Sequence, residues 1–480
     1  MKRRALSLIL ATAMVAGSLM GCGGSSASSG ASSAEPAAEP AAEPAAEATA
    51  EAAPSGGEGG VINLWSFTDE VPGMVEKYIA DHPDFGYTVN TTIIATTEGA
   101  YQPALDSALQ AGGAEQPDMY CAEAAFVLKY TQGDMSSYAM PYKDLGIDID
   151  KAIADAQIAQ YSVDIGTNAD GDVDGLGYQA TGGAFIYRRS IAKDVFGTDD
   201  PAQIAEIIGA GTNSWDKFWE AAATLADKGV AIVSGDGDVW HAVENSSETG
   251  WLNADGQLHI DPKREEFLDI SKNLTDNGWS NITTDWQDAW FADMKGEGAK
   301  PVFGFFGPAW LINYTLAPNC GGTAPGEGTY GDWAVCAPPI GFFWGGTWIL
   351  ANKNMDPAKV AAVSELINWI TLDTSEDGLQ YKWANGTLNG EGGTKDTVAS
   401  GVVMEKSDGS LDFLGGQNMF DVFVPANQYA NGKNLTQFDE NINLNWRDQV
   451  RMYAAGEKSR EDAINTFKQI INDNLGISAE

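Results

Sequence analysis

The sequence predicts an α/β protein folded in two lobes, and three observations carry that prediction. Strand-like and helix-like stretches alternate over residues 61–123, the order that builds a parallel sheet. The 420 residues beyond residue 60 are too many for one compact core and suit two. Two apolar runs, 301–310 and 333–350, each end among glycines and large aromatic rings, which fits a crevice better than a solid interior.

The chain opens with Lys2, Arg3 and Arg4, an apolar stretch over 6–15, and then Ser18-Leu19-Met20-Gly21-Cys22. Residues 1–22 read as a secretory signal, too short to span a bilayer. Leu19, one further residue, Gly21 and Cys22 resemble the lipobox of bacterial lipoproteins, which implies cleavage before Cys22 and acylation of that cysteine. The lipid would anchor the protein on the extracytoplasmic face of the cell membrane. Residues 23–60 begin rich in Gly and Ser and then repeat Ala-Ala-Glu-Pro around Pro36, Pro40 and Pro44. Such a composition buries no apolar surface, so it reads as a disordered acidic tether whose role is reach.

Charge and composition narrow the function. The chain holds 28 basic and 67 acidic side chains, a net charge of −39. Nucleic-acid binders carry the opposite sign, and acidity of this size favours solubility and disfavours anionic ligands. His82, His241 and His259 are the only histidines and lack metal-ligand spacing, so no metal or other cofactor is expected. Besides Cys22 there are Cys121, Cys320 and Cys336; the last two flank a Gly/Pro-rich loop and either form a disulfide or stay as buried thiols.

Along the folded part, 61–67 alternates apolar and polar as a strand, and Thr68-Asp69-Glu70 opens a helix. A strand over 87–94, a helix over 100–111 and a strand over 116–123 follow. Ligands of a parallel sheet gather beyond its carboxyl ends, which singles out Trp65, Ser66, Asp69 and Glu70 after the first strand and Glu123 after the third. The run from Asp170 to Gly175 looks like a calcium loop up to its twelfth position, where Thr181 stands in place of a bidentate Glu. It reads instead as a hairpin turn into 176–179. Ser214 caps a helix with Phe218, Ala222 and Leu225 on one face and Gly229 as its stop. Asp356-Pro357 opens another that reaches 373, with Val360, Val363, Ile367 and Ile370 on one stripe. The last helix has Ser459 and Asp462 placed as a capping box, Ile464, Phe467, Ile471 and Leu475 inward, and Gly476 at its end.

The chemistry therefore falls to the aromatic stretches. An indole offers a flat apolar face with one donor, which suits a sugar ring with its C–H face and belt of hydroxyls. Trp310 and Trp344 with Gly345 and Gly346 are the main candidates, and Trp240 is a further one. Any single ring among them also fits a core position.

Read in order, Ile62-Asn63-Leu64-Trp65-Ser66-Phe67, Gln116-Pro117-Asp118-Met119-Tyr120, Asp174-Gly175-Leu176-Gly177-Tyr178 and Phe185-Ile186-Tyr187-Arg188-Arg189 form a familiar series. With Ser214-Trp215-Asp216-Lys217-Phe218, Gly307-Pro308-Ala309-Trp310, Pro338-Pro339 and Gly345-Gly346, it resembles the extracellular solute-binding proteins of carbohydrate ABC transporters, family 1, which include the maltose-binding type. The resemblance covers 61–475 and implies the two-lobe, periplasmic-binding-protein-like (type II) fold with the ligand cleft between the lobes. Lobe 1 would comprise 61–179 and 340–386, and lobe 2 would comprise 180–339 and 387–480. By matching position, Ser66, Asp69 and Glu70 face the cleft, and Glu123 holds sugar hydroxyls. Gln179 and Thr181 sit at the first crossing between lobes, Trp310 stacks on the ligand, and Trp344, Gly345 and Gly346 follow the second crossing. A third contribution is implied for 416–420. The chain departs from the family where a Phe followed by Gly-Lys-Ala-Ala-Met is usual; Phe291-Ala292-Asp293-Met294-Lys295 leads instead to Lys300-Pro301-Val302-Phe303, which allows a different pocket wall.

The expected function is capture without catalysis by a monomer: a sugar or oligosaccharide is bound outside the cell and delivered to an ABC permease. Three rivals stand beside it, one of them a sensor or adhesion lipoprotein with a degenerate pocket that binds nothing tightly. A lipid-anchored glycoside hydrolase needs a carboxylate pair, but acidic side chains this numerous supply such pairs by chance. The same fold binding a peptide, polyamine or polyol would be favoured by acidity near the cleft.

Overall fold

In a computed structural model the chain is described over residues 59–96, 99–390 and 392–479; the secretory signal, Cys22 and all but the end of the tether lie outside them. β1 (Gly60–Ser66), β2 (Tyr87–Ile93) and β3 (Met119–Glu123) are parallel neighbours, joined through the helices Glu70–Asp81 and Tyr101–Ala111. β4 (Gly175–Gly177) belongs to the same sheet, whereas β5 (Ala184–Arg188), β6 (Gly304–Gly307) and β7 (Trp333–Cys336) form a second, antiparallel one in the order β6-β5-β7. β8 (Thr347–Ala351) then returns to the first sheet and runs antiparallel to both β3 and β4, giving the order β2-β1-β3-β8-β4. All five of its residues are buried, as expected for a strand covered on both faces.

Each sheet anchors a lobe. Ile62, Leu64, Met119 and Ile349 pack with the helix Val360–Thr371 on one side of the first sheet. In the second sheet the two-residue period divides the strands between two cores. Ile186, Phe305, Trp333 and Val335 face one core; Phe185, Tyr187, Phe306, Ala334 and Cys336 face the other, with Phe218 and Trp240. This division decides the cysteines. Cys320 lies in the first of these cores and its thiol donates to the Gly322 carbonyl at 3.1 Å, while Cys336 points to the opposite face of β7. Disulfide geometry requires the two Cβ vectors to converge, so the bridge left open by the sequence does not form; Cys121, Cys320 and Cys336 are buried free thiols.

Local signals locate most elements. Ser459 accepts the Asp462 amide at 3.1 Å to start Arg460–Leu475, and Gly476 ends it in the left-handed region with φ 69°. Asp356 accepts the Ala358 amide at 2.9 Å, but a 3₁₀ turn, Pro357–Lys359, precedes the α-helix Val360–Thr371. Ser214 accepts the Asp216 amide at 3.1 Å, one turn position ahead of Asp216–Ala226. At the Asp170–Gly175 turn, the Asn168 side chain accepts the amides of Asp170 and Asp172, and Asp172 turns outward to Lys143 at 2.5 Å.

The segments passing between the sheets bond to one another. Gly183 donates to the Phe342 carbonyl at 2.8 Å and Trp344 to the Thr181 carbonyl at 3.1 Å, so 181–183 and 342–344 run side by side. Residues 397–399 lie along the other edge, with Ala180 donating to Thr397 and Ala399 to Tyr178. Contact with the second sheet resumes at β9 (Ser410–Leu411) and β10 (Gln417–Asn418). Among the described residues no helix is long and apolar enough to cross a membrane.

Asp118 is 1% exposed and accepts both the Asn63 amide, at 2.8 Å, and the Lys359 ammonium, at 2.7 Å, joining β1, β3 and the start of Val360–Thr371. Asp118→Ala strands both donors and should cost about 2 kcal/mol, read as a midpoint several degrees lower in thermal unfolding.

Candidate functional site

The site forms where β1 and β3 end and where β8 begins. Glu123 closes β3 opposite Thr347 in the antiparallel ladder, so the residues just before Thr347 sit beside its carboxyl. These are Gly345 and Gly346, with φ of 73° and 111°, conformations a side chain at either position would strain. Gly346 accepts the Ala124 amide at 3.2 Å, and Gly345 accepts the Thr181 hydroxyl at 2.9 Å. A Cβ placed on Gly345 would lie 3.4 Å from both Glu123 Oε1 and Trp310 Nε1, which puts carboxyl, indole and bare backbone at one point.

Trp310 follows β6 and Pro308 on a short helical turn, and its Nε1 donates to the Trp344 carbonyl at 3.0 Å. The two indoles meet edge to face, with centroids 4.8 Å apart. Trp286 lies parallel to Trp310 at 6.2 Å and edge-on to Trp344 at 6.0 Å; His241 stacks on Trp344 at 4.4 Å. Trp286 is 41% exposed and its backbone is left-handed, φ 66°, a strained conformation for a bulky residue. The preceding Asp285 pins this loop to the helix Asp439–Ala454 through Arg447 and Arg451. Burial would raise the Asp285 pKa, but the two guanidiniums outweigh it and hold it at about 2.

Glu123 has the opposite environment. Burial pushes its pKa up to about 8; the Ala125 amide, donating at 2.8 Å, opposes the shift, while Glu440 and Glu244 add to it. Glu244 is itself buried, yet His241, Arg264 and Asn443 hold its pKa below the usual carboxylate value.

A second polar group borders the first. Glu70, at the start of Glu70–Asp81, accepts the Tyr178 hydroxyl, and Gln179 donates to Asp396 at 3.0 Å. Burial raises the pKa of Glu70, with Asp69 adding to it, and takes Asp396 to about 7. From the second lobe Tyr314, 54% exposed on a π-helical turn after Trp310, comes near enough to Asp69 and Glu70 for both to raise its pKa beyond the effect of burial.

The structure thus brings Glu123, Thr181, Trp310, Trp344, Gly345 and Gly346 together, with Glu70, Asp69 and Gln179 in the bordering group. Ser66 is fully buried and turns its hydroxyl to the Thr68 amide. Trp65 is half-buried against the core beneath β1 and β3. Trp240 is 1% exposed and packs on Phe267 at 4.9 Å; it is a core residue, and the next residue on its helix, His241, is the one that meets Trp344. Residues 416–420 lie along β7 instead, where the Gln417 side chain bonds the amide and carbonyl of Val335. Trp286 and Tyr314 carry no local sequence signal for the site, and His241 has only the lack of metal-ligand spacing to mark it.

Residues 73–400 match the family described as bacterial extracellular solute-binding protein. No curated protein matches the chain in sequence. Among solved structures, an extracellular solute-binding protein of family 1 superposes with a TM-score of 0.67 at 17% identity, covering 86% of this chain and 99% of that one. The galacto-N-biose/lacto-N-biose I-binding protein of an ABC transporter from Bifidobacterium longum, in complex with lacto-N-biose, gives 0.65 at 16% identity over 88% and 98%. Maltose-bound MalE3 of T. maritima gives 0.58 at 16% identity over 87% and 100%. Identities this low establish a shared fold.

The raised pKa of Glu123 has a signed consequence. Relative to an unfolded value of 4.5, its contribution to stability is fully present below pH 4.5 and is lost as pH rises to about 8. Glu123→Gln should therefore gain stability relative to the native protein between pH 5 and pH 8, checked by chemical unfolding of both at the two pH values.

Proposed function

The chain belongs to the bacterial extracellular solute-binding proteins, and on that premise we propose that it captures a saccharide at the Trp310–Trp344 site and presents it to an ABC permease. One observation carries the reading. Three indoles stand together with centroids 4.8 to 6.2 Å apart, and one of them, Trp310, meets the Glu123 carboxyl at the bare backbone of Gly345, where strands of the first sheet end. A sugar ring would lie against an indole face with its C–H side, while Glu123 exchanges hydrogen bonds with its hydroxyls. The glycines leave room for the ring to approach the backbone. Binding proteins of this family work by retention and release, so no bond of the ligand is broken in this scheme.

Acylated Cys22 would hold the protein at the cell surface, and residues 23–60 would let the folded part reach its permease at a raised effective concentration. Lobe 1 would comprise 61–179 and 340–386, with the rest of the folded chain forming lobe 2.

Thermal unfolding against mono- and oligosaccharides, with polyamines and peptides in parallel, tests the ligand class. A ligand at about a hundred times its Kd should add roughly 2.7 kcal/mol and raise the midpoint by a degree or more. Trp310→Ala should weaken binding by about 1–2 kcal/mol, measured by titration calorimetry. A response only to peptides or polyamines would remove the saccharide reading. Cys22→Ser should release the protein from cells into the medium, followed by immunoblot of the cell and supernatant fractions.

A further inference from the structure

We propose that the captured saccharide is an amino sugar whose free ammonium group sits on Glu123, within the indoles Trp286, Trp310 and Trp344. The inference rests on the saccharide reading above and adds a charge to the ligand. Glu123 uses one carboxylate oxygen to accept the Ala125 amide at 2.8 Å. The other, Oε1, faces the space over Gly345, 3.4 Å from a Cβ placed there.

The charged groups that act on this carboxyl have its own sign: Glu440, on the helix Asp439–Ala454, and Glu244, on the helix Gly237–Asn245, both raise its pKa. The cations of the region serve other acids: Lys129 pairs with Asp106 at 2.5 Å, Arg447 and Arg451 with Asp285, and Arg264 acts on Glu244. His241 has its Nδ1 3.3 Å from Glu244. Among the described residues no cation partners the Glu123 carboxyl, which burial keeps protonated; a bound ammonium supplies the counter-charge as the carboxyl gives up its proton to solvent. An N-acetylated ring loses that charge, and its acyl group projects toward Glu123. The net charge of −39 also enriches cations around the molecule.

The test is titration calorimetry of the full-length protein in detergent with glucosamine, N-acetylglucosamine and glucose, as monomers and β1,4-linked dimers, and with the matching galacto series. Within at least one series the free amine should bind about tenfold more tightly than its acetylated and hydroxyl counterparts, a factor set by one charge-assisted contact. In Glu123→Gln that ratio should fall toward one. The ratio in the native protein stands alone as a readout should the variant fail to fold. Equal or stronger binding of the neutral sugars would overturn the charge assignment and leave the saccharide reading intact. Binding of spermidine with no binding of any sugar would overturn both, and so would heat from none of the ligands.

Discussion

The geometry of the site depends on one strand pairing, the insertion of β8 between β3 and β4. Its register sets Glu123 against Thr347, and everything at the mouth of the cleft follows from that pair. Gly345 and Gly346 must turn sharply there, Trp344 is delivered directly beside them, and Trp310 attaches by donating to the Trp344 carbonyl. A shift of one residue in β8 would exchange the faces of Trp348 and Ile349, which pack into different cores. The burial of this strand therefore fixes the positions of Glu123, Trp344 and the two glycines without its own side chains taking part.

The second lobe holds its part of the site by electrostatics rather than by sheet register. Trp286 occupies a left-handed conformation, which costs of the order of 1–3 kcal/mol for a non-glycine residue. The adjacent Asp285 is bound by two arginines from the helix Asp439–Ala454, and Arg451 also reaches the buried Asp236 at 3.1 Å. The two arginines lie far from the indoles in sequence but decide where one of them stands.

What the sequence revealed reflects which forces are local. Caps such as Ser459 and terminators such as Gly476 act within one turn, so helix ends are legible from a few residues. The grouping of Glu123, Thr181, Trp310, Trp344, Gly345 and Gly346 was legible through a resemblance in the order of motifs. Trp240 and His241 show the limit of that approach: they are successive residues on one helix, and its rotational phase alone sends the first into the core and the second to the site. Trp286 had no local signal, because its exposure follows from a strained backbone and a distant ion pair. The apolar run at 301–310 is not one element: only Gly304–Gly307 joins the sheet, Val302 makes a single bridge to Ala231, and a helical turn starts at Ala309. The cysteine pair was undecidable for a similar reason, since strand alternation separates the thiols across a sheet.

The three extended segments that bond edge to edge at 178–183, 342–344 and 397–399 give the molecule a mechanical character. The segment 178–183 has 397–399 along one edge of its first half and 342–344 along the opposite edge of its second, a strap that flexes across its strands, whereas in-plane shear would break its lateral hydrogen bonds. Any relative motion of the lobes would have to bend this strap, as a door bends a strap hinge. Bending about that one line would carry Trp310 and Glu123 along one path, so their mutual alignment would be a property of the strap.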